Sequence, residues 1–258
     1  MRTSFLFAAI LKVKIDFVEI PDRKADHISA MFSDIAPRYD FLNHLFSFGI
    51  DKCWRKRMAR EITKCRPARV LDIATGTGDL ALALHRAEVA KIVGVDISEG
   101  MLEIARSKTI RNDIHPSNVE FMLASAEVLP FPDNSFDAVT IGFGVRNFEH
   151  LQKGLREIQR VLQPGGQLAV LEFSTPQHFP VKQLYHFYFH TIIPVVGHFV
   201  SKHQSAYSYL PSSVSNFPQR GDFLNQLQQA GFIDMRYRNL SCGIAAIYTA
   251  EKSKFPNK

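Results

Sequence analysis

The feature that most constrains this chain of 258 residues is a glycine turn between an apolar run and a helical pattern, at Val70–Leu80 (VLDIATGTGDL). An apolar run that leads into Gly76-Thr77-Gly78, followed by a second apolar run ending in Asp96, is typical of the start of a doubly wound α/β domain. Glycines let the backbone approach a ligand closely, and a carboxylate about 20 residues further on can hold a ribose diol. The turn therefore predicts a nucleotide-like ligand.

Asp79 distinguishes between the nucleotide-like ligands. Gly76, Gly78 and Ala81 satisfy the G-x-G-x-x-G/A dinucleotide fingerprint. The pyrophosphate of a dinucleotide would lie at the helix N-terminus, however, where a carboxylate repels it. S-adenosylmethionine has no phosphate and carries a cationic ammonium and a sulfonium group there. We therefore expect an S-adenosylmethionine site. An NAD-dependent oxidoreductase and a glycine turn without a ligand are the alternatives.

Alternating apolar and helical patterns continue through the chain. Such elements predict a parallel sheet with helices on both faces. The predicted strands are Val70–Ile73, Ile92–Asp96, Val119–Leu123, Ala138–Ile141, Gln167–Leu171 and an antiparallel pair, Phe232–Asn239 and Ala245–Lys252. The predicted helices are Asp79–His85, Gly100–Lys108, Leu151–Val161 and Gly221–Ala230.

Two further segments flank this core. Ile20–Lys64 has a helical pattern, and Pro37 within it predicts two short helices rather than one long helix. Thr175–Asn216 is rich in aromatic residues and histidines and is too long for a simple connection. We expect it to form helices of its own. Its composition suits either a lid over an apolar substrate or a dimer surface.

Composition limits the function classes. The net charge of +6 is compatible with nucleic acid or an anionic membrane, and the basic cluster Lys52–Lys64 suits a solvated helix face as well as a binding patch. Three cysteines without C-x-x-C spacing predict a reducing compartment and no metal site. No apolar run reaches the roughly 18–20 residues that span a bilayer. We therefore expect a cytoplasmic protein, with Met1–Leu11 in an N-terminal extension.

The ends of the predicted strands contain the candidate site residues. Asp96 is expected to hold the ribose, with a helix N-cap as the alternative role. Ser125-Ala126 is expected to flank the adenine, with an ordinary turn as the alternative. After strand 4, Arg146 can stabilise a substrate oxyanion and Asn147 can orient the substrate. A surface ion pair is the alternative for Arg146. The Asn/Asp-Pro-Pro-aromatic element of many amine methyltransferases is absent, which argues against nucleobase N-methylation.

Several long motifs resemble the C-methyltransferase family of menaquinone and ubiquinone biosynthesis. The resemblance covers about Ala30–Glu251 and departs from the family pattern at Leu42, Asp51 and Gln163. The motifs are Tyr39–Trp54, Leu129–Asp137 with Gly144–Asn147, and Arg160–Gly166 with Leu171–Ser174.

The resemblance implies a fold and an assignment of residues. The fold is the Rossmann-like class I S-adenosylmethionine-dependent methyltransferase sheet, seven-stranded and mostly parallel, with N-terminal helices and an inserted helical cap. The implied segments of this single domain are 1–20, 21–66, 67–174, 175–216 and 217–252. The donor-binding residues that the resemblance implies are Thr77, Asp96, Ser125, Ala126 and Gly142, and the glycine turn itself adds Gly76, Gly78 and Asp79. Arg146 and Asn147 are the catalytic candidates, Tyr39, Asp40 and Asn43 are the substrate candidates, and no metal is implied.

Together these observations predict the C-methylation of a demethylated polyprenyl quinol. Ala74-Thr75-Gly76 favours demethylmenaquinol over the methoxy-benzoquinol of the ubiquinone pathway. A lipophilic substrate implies transient contact with a membrane surface at the inner face of the cell membrane, without a nucleic-acid partner. A homodimer stays an open alternative. An RNA methyltransferase that uses Lys52–Lys64 is a more remote one.

Overall fold

The computed structural model describes residues 23–192 and 204–255. The predicted N-terminal extension, residues 1–20, and part of the aromatic insertion, residues 193–203, lie outside the described residues.

The described strands form one sheet of seven strands in the order β3-β2-β1-β4-β5-β7-β6. The first five pair in parallel, and β7 runs antiparallel between β5 and β6. The predicted α/β fold is thereby confirmed. The strands are β1 Arg69–Ile73, β2 Lys91–Asp96, β3 Val119–Leu123, β4 Phe136–Gly142, β5 Leu162–Phe173, β6 Phe232–Leu240 and β7 Ala245–Lys252.

Helices precede, connect and cover the strands. The described part of the aromatic segment Thr175–Asn216 contains two helices, and a π-helical turn at Tyr188–Ile192 follows the first of them. The helices are α1 Arg23–Phe46, α2 Ile50–Ile62, α3 Asp79–His85, α4 Glu99–Arg111, α5 Leu151–Val161, α6 Val181–Phe187, α7 Gln204–Asn216 and α8 Gly221–Gln229.

Both faces of the sheet are buried, as apolar strands of a parallel sheet require. Helices α5 and α8 cover one face, where Leu71, Leu155 and Phe223 belong to one apolar cluster. Helices α2 and α3 cover the other face, where Val70 and Met58 belong to a second cluster. Neighbouring residues of β1 thus point to opposite sides, and the sheet is held rigidly with its carboxyl ends free to form a site.

The predicted break at Pro37 is wrong. Helix α1 is continuous from Arg23 to Phe46 and contains Pro37. A proline removes only one backbone hydrogen bond, and the burial of Ala36 and Leu42 on either side of it holds the helix together. The chain breaks instead before α2, where Gly49 has a φ of 73° and its N–H donates to the His44 carbonyl at 2.8 Å. Glycine adopts this left-handed conformation without steric cost.

Candidate active site

A cavity of about 100 Å³ lies at the carboxyl ends of β1, β2 and β4. We call it the strand-end cavity. Five of the predicted donor-binding residues line it: Gly76, Asp96, Ser125, Ala126 and Gly142. Helix α1 covers the same cavity with Ile28, Phe32 and Tyr39. The structure therefore brings residues from five separate segments to one place, where α/β sheets of this kind bind their ligands.

Backbone hydrogen bonds fix the carboxylate of Asp96 at the end of β2. One oxygen accepts from the N–H of Gly76 at 2.8 Å, and the other accepts from the N–H of Ser98 at 2.9 Å. Burial raises the pKa of Asp96, and these N–H donors lower it in part. The side chain of Ser98 caps α4 by accepting from the N–H of Met101, so Asp96 does not serve as that cap. The N–H of Ile97 is a third backbone donor to this carboxylate, and of its about four acceptor positions the remaining one can accept from a ribose hydroxyl.

The remaining lining of the strand-end cavity suits the rest of S-adenosylmethionine. Gly76 has a φ of 55° and open space where a Cβ would stand, so backbone alone forms that wall. Ile97, Met101 and Phe148 provide apolar surface next to Ser125. An adenine ring needs apolar contacts of this kind, and a ribose needs a carboxylate such as Asp96. The residues present fit the donor.

Asp79 does not line the strand-end cavity. Its carboxylate lies 2.6 Å from the ammonium of Lys108 and 3.8 Å from the guanidinium of Arg55. Burial raises the pKa of Asp79, but Arg55 and Lys108 outweigh that effect and hold it below its usual range. In the structure, two cations of the protein thus pair with the Asp79 carboxylate, and its contact with a cationic donor stays a prediction.

Thr77 and Asp40 belong to the same ion-pair network. The hydroxyl of Thr77 donates to Asp40 at 2.5 Å, and the ammonium of Lys108 lies 2.5 Å from Asp40 and 3.0 Å from the Thr77 hydroxyl. Gly78 packs against the Phe121 ring, where a Cβ would come within 3.0 Å of it. None of these three predicted site residues lines the described part of the strand-end cavity or of a larger cavity between α1 and α2.

A second cavity, of about 390 Å³, lies between α1, α2 and the aromatic insertion. We call it the aromatic cavity. Its ring-bearing lining residues are Phe32, Tyr39, Phe46, Phe48, Trp54, Phe143, Phe173, Tyr185, Tyr188 and Phe189. Of the two alternatives for the insertion, its described part thus favours a lid over an apolar cavity.

A buried ion pair holds Arg146 at the wall of the aromatic cavity. Its Nη1 donates to Glu172 at 2.6 Å and also to the carbonyl of Phe143. Glu172 is fully buried in β5; burial raises its pKa and the charge of Arg146 lowers it in part. The alternative expected for Arg146 was an ion pair at the protein surface. The observed pair lies inside the protein. A buried, paired guanidinium keeps a fixed position.

Tyr39 lies where the two cavities meet. Tyr39, Phe32 and Phe143 line both cavities, while Asn43 lines only the aromatic cavity and Asn147 only the strand-end cavity. Burial raises the pKa of Tyr39, and Arg146 and a hydrogen bond with Asn43 lower it in part. The structure therefore brings Tyr39, Asn43 and Arg146 together at the aromatic cavity, whereas Asn147 lies with Tyr39 at the strand-end cavity.

Two residues of the aromatic cavity region were missed by sequence reasoning. Glu172 interrupts an otherwise apolar strand run, and a lone carboxylate in such a run is a usable signal. Tyr185 is one of many aromatic residues in the insertion, and nothing in the sequence distinguishes it from its neighbours.

One described group of side chains has the spacing of a metal site. Ligand atoms of His44, Asp51 and Asp79 lie within 4.8 Å of one another. Arg55 pairs with Asp51, and Lys108 pairs with Asp79. Burial raises the pKa of Asp51, and Ser47 and Arg55 lower it below its usual range. These side-chain cations occupy the carboxylates that a metal ion would need.

Among the described helices, none is long and apolar enough to cross a membrane.

Comparison with known sequences gives one consistent set of relatives. The model of the ubiE/COQ5 methyltransferase family matches residues 20–252. A demethylmenaquinone methyltransferase from Bacteroides fragilis is 43% identical over 89% of this chain and 94% of its own length. A ubiquinone/menaquinone biosynthesis C-methyltransferase from Geobacter sulfurreducens is 47% identical over 89% of this chain and 90% of its own length.

Solved structures with a similar fold are more distant in sequence. The [4+2]-cyclase SpnF superimposes with a TM-score of 0.64 at 19% identity, covering 89% of this chain and 96% of that one. A SAM-dependent methyltransferase from Thermotoga maritima superimposes with a TM-score of 0.58 at 19% identity, covering 87% of this chain and 99% of that one. At these identities the similarity concerns the fold alone.

Proposed function

This chain belongs to the ubiE/COQ5 methyltransferase family, and we propose that it transfers a methyl group from S-adenosylmethionine to a ring carbon of a demethylated polyprenyl quinol. Demethylmenaquinol is the main substrate candidate, and a methoxy-benzoquinol is the alternative. The observation that carries the proposal is the contact between the two cavities. Phe32, Tyr39 and Phe143 separate the strand-end cavity from the aromatic cavity, so the two ligands would meet at this wall.

The aromatic cavity suits a quinol ring with a prenyl tail. Apolar and aromatic side chains form most of its wall, and the polar groups include Arg146, Tyr39 and Asn43. A pocket that is mainly apolar, with a few polar groups, binds an apolar ligand and orients it through its oxygen atoms. Of the three predicted substrate residues, Tyr39 and Asn43 keep a proposed role in binding the quinol. The position of Asp40 is better explained by its ion pair with Lys108.

The proposed reaction needs a nucleophilic ring carbon. When bound, S-adenosylmethionine supplies an electrophilic methyl group on a sulfonium sulfur. Loss of a proton from a quinol hydroxyl moves electron density to the adjacent ring carbon, and a guanidinium beside the oxygen favours that loss. The ring carbon would take the methyl group and release its hydrogen as a proton, and the ring oxygen would regain the proton that it lost. Arg146 is the residue that we assign to the oxygen.

No general base is assigned for the hydroxyl proton. No histidine of the described residues lines the aromatic cavity, so we expect the proton to leave through water. Positioning of the ring against the donor then supplies most of the rate enhancement, because aligned reactants need little further entropy loss.

The experiment that tests the function compares two acceptors. Purified protein and methyl-labelled S-adenosylmethionine are incubated with reduced demethylmenaquinol and, separately, with a demethylated methoxy-benzoquinol. We expect label in the first product and little in the second. Label in neither quinol would refute the proposal. Binding of NADH without S-adenosylmethionine would favour an oxidoreductase instead.

The variant Arg146→Lys tests the assignment of the guanidinium. Lysine keeps the charge beside Glu172 but loses the planar donor array, so we expect turnover to fall by about 10- to 100-fold. Because Arg146 lines only the aromatic cavity, the dissociation constant of S-adenosylmethionine by calorimetry stays within about twofold of the wild-type value. Loss of donor affinity with unchanged turnover would instead assign Arg146 to the donor.

We also propose transient contact with a membrane surface at the mouth of the aromatic cavity. Phe48 is 79% exposed and Leu184 is 64% exposed although both line the cavity. Lys52, Lys56 and Arg60 are exposed at four-residue spacing on the adjoining helix α2. Apolar side chains next to a basic helix face suit binding to anionic lipid.

Vesicle sedimentation tests this contact. We expect binding to vesicles that contain phosphatidylglycerol and weaker binding to pure phosphatidylcholine. Phe48→Ser lowers binding to both vesicle types, whereas Lys56→Glu lowers only the charge-dependent part. Equal sedimentation of wild type and both variants would contradict the proposed surface. Salt-sensitive RNA binding with methyl transfer to RNA would favour a nucleic-acid role for the basic face.

A further inference from the structure

The phenol of Tyr185 is a buried polar group without a partner in the described part of the protein. Tyr185 is 9% exposed and lines the aromatic cavity, and its oxygen has no hydrogen-bond partner among the described residues. Its ring is held firmly by stacking on Phe189, with a centroid distance of 4.5 Å. Burial of a hydroxyl without a partner is unfavourable, so such groups call for an explanation.

A second buried donor without a partner borders the same cavity. The Nε of Arg146 has no described hydrogen-bond partner, although Nη1 of the same side chain is paired with Glu172. The guanidinium carbon of Arg146 lies 5.5 Å from the ring centre of Phe173, and Phe173 lies 6.1 Å from Phe189. Arg146 and Tyr185 thus flank one pair of aromatic rings.

We propose that Tyr185 is a substrate-binding residue whose phenol donates a hydrogen bond to the quinol oxygen that Arg146 also faces. This inference rests on the proposed function. A ring oxygen that loses its proton gains negative charge, and two donors that are already buried and fixed stabilise that charge with little reorganisation. The apolar surroundings strengthen both interactions.

The surroundings of Tyr185 keep it in the donating form. Burial raises the pKa of its phenol, Arg146 lowers it in part, and Glu172 raises it further, so the phenol is neutral near neutral pH. A neutral phenol donates a hydrogen bond to an oxyanion and does not act as the base that removes the proton. Tyr185 would therefore lower the pKa of the bound quinol without taking its proton.

The variant Tyr185→Phe removes the hydroxyl and keeps the ring that stacks on Phe189. We expect kcat/KM for demethylmenaquinol to fall by roughly 100-fold, as for the loss of one oxyanion donor. The affinity for S-adenosylmethionine stays unchanged, because Tyr185 does not line the strand-end cavity. The melting temperature does not fall, since no described internal hydrogen bond is lost.

Tyr248→Phe is the matched control. Its hydroxyl is fully buried in β7 and accepts from the N–H of Arg220 at 2.8 Å. Loss of that bond lowers the melting temperature and leaves kcat/KM near the wild-type value. The opposite pattern in the two variants separates substrate binding from a structural role.

A binding experiment provides a second measurement. The probe is 1-naphthol, whose absorbance reports ionisation of its hydroxyl. We expect the wild-type protein to lower the apparent pKa of bound 1-naphthol, and Tyr185→Phe to reduce that shift by about one unit. An identical shift in both proteins, or none in the wild type, overturns the inference. If the wild type methylates the quinol and Tyr185→Phe has an unchanged kcat/KM, the inference about Tyr185 is also overturned. The proposed function still stands in that case. Failure of the wild type to methylate any quinol refutes the proposed function separately.

Discussion

Asp72 in β1 and Glu172 in β5 are both completely buried carboxylates, and their side-chain partners differ. Glu172 pairs with the guanidinium of Arg146 at 2.6 Å. Asp72 has no ion-pair partner among the described residues and accepts hydrogen bonds from the hydroxyls of Thr75 and Thr140, at 2.6 and 2.8 Å. Burial therefore raises the pKa of Asp72 to about 6, which the two hydroxyls lower only in part.

Glu172→Gln should be strongly destabilising. The substitution leaves the buried guanidinium of Arg146 without its counter-ion, and removal of one partner of a buried pair costs about 3–5 kcal/mol. Urea denaturation measures the change in unfolding free energy. The control is Asp133→Asn, because Asp133 is 68% exposed in its pair with Arg160 and should contribute less than about 1 kcal/mol. Equal losses in the two variants would mean that burial does not govern the strength of the Arg146 pair.

Asp72→Asn should alter the dependence of stability on pH. The folded pKa of Asp72, about 6, lies above the usual aspartate value, so the folded state keeps its proton longer than the unfolded state does. Its contribution to stability is complete below about pH 4 and is lost as pH rises to about 6, by about 3 kcal/mol. The variant lacks this loss.

The measurement is urea denaturation of wild type and Asp72→Asn between pH 4 and 7. We expect the wild type to lose stability relative to the variant as pH rises. Carboxylates with lowered pKa values, such as Asp51 and Asp79, contribute equally to both proteins, so the difference isolates Asp72. Parallel pH profiles would mean that folding does not raise the pKa of Asp72.

The surroundings of Asp96 follow from the local sequence, whereas those of Asp79 do not. Asp96 follows an apolar strand, so its place at the strand end follows from local pattern alone. Asp79 has its ion pairs with Lys108 and Arg55, which belong to other helices. A local sequence pattern cannot show which cations the fold brings to a carboxylate.

At the scale of elements, strand and helix patterns were read correctly where apolar periodicity governs burial. Helix α5 has the predicted bounds, and β1 begins one residue before its predicted start. The break before α2 was missed because Pro37 is a strong local signal, whereas Phe48 and Gly49 take left-handed φ values only in the folded context. The hydrogen bond from Gly49 to His44 then ends α1.

One lysine of α4 links α1 to α3 by ion pairs. The ammonium of Lys108 lies between Asp40 of α1 and Asp79 of α3, at 2.5 and 2.6 Å. Lys108→Met removes this cation and leaves two carboxylates facing each other. Since α1 lines the strand-end cavity, we expect the dissociation constant of S-adenosylmethionine to rise by roughly 10-fold, equivalent to about 1.4 kcal/mol.

Lys64→Met is the control for this prediction. Its ammonium pairs with Glu61 at 2.7 Å on an exposed surface away from both cavities, so calorimetry should show an unchanged donor affinity. An unchanged affinity in Lys108→Met as well would mean that the ion pairs of Lys108 do not position α1.

At the scale of the whole molecule, the sheet is predictable from the sequence. The position of the aromatic cavity beside the strand-end cavity is not. The strand order brings the loops after β1, β2 and β4 to one edge, as the doubly wound pattern requires. The aromatic cavity needs α1, α2 and the insertion to pack together, although they are far apart in the chain. Its long-range contacts include the hydroxyl of Tyr188, which donates to the Phe46 carbonyl at 2.9 Å.

Phe143 is one of three described residues that line both cavities. Its ring packs on Phe173 at 4.5 Å and on Trp54 at 6.1 Å, and it lines both cavities. Phe143→Leu shortens this shared wall on both sides at once. We therefore expect the KM for the quinol and the dissociation constant of S-adenosylmethionine each to rise by roughly 10-fold.

Variants that affect one cavity complete the experiment. Leu210 lines only the aromatic cavity, so Leu210→Ala should raise the quinol KM alone. Ser125 lines only the strand-end cavity, so Ser125→Ala should weaken only donor binding. Steady-state kinetics and calorimetry on the three variants distinguish a shared wall from two independent sites. If Phe143→Leu weakened a single ligand, the ring would belong to one site, and the two ligands would be brought together by other residues of α1, of which Tyr39 is the next to test because it also lines both cavities.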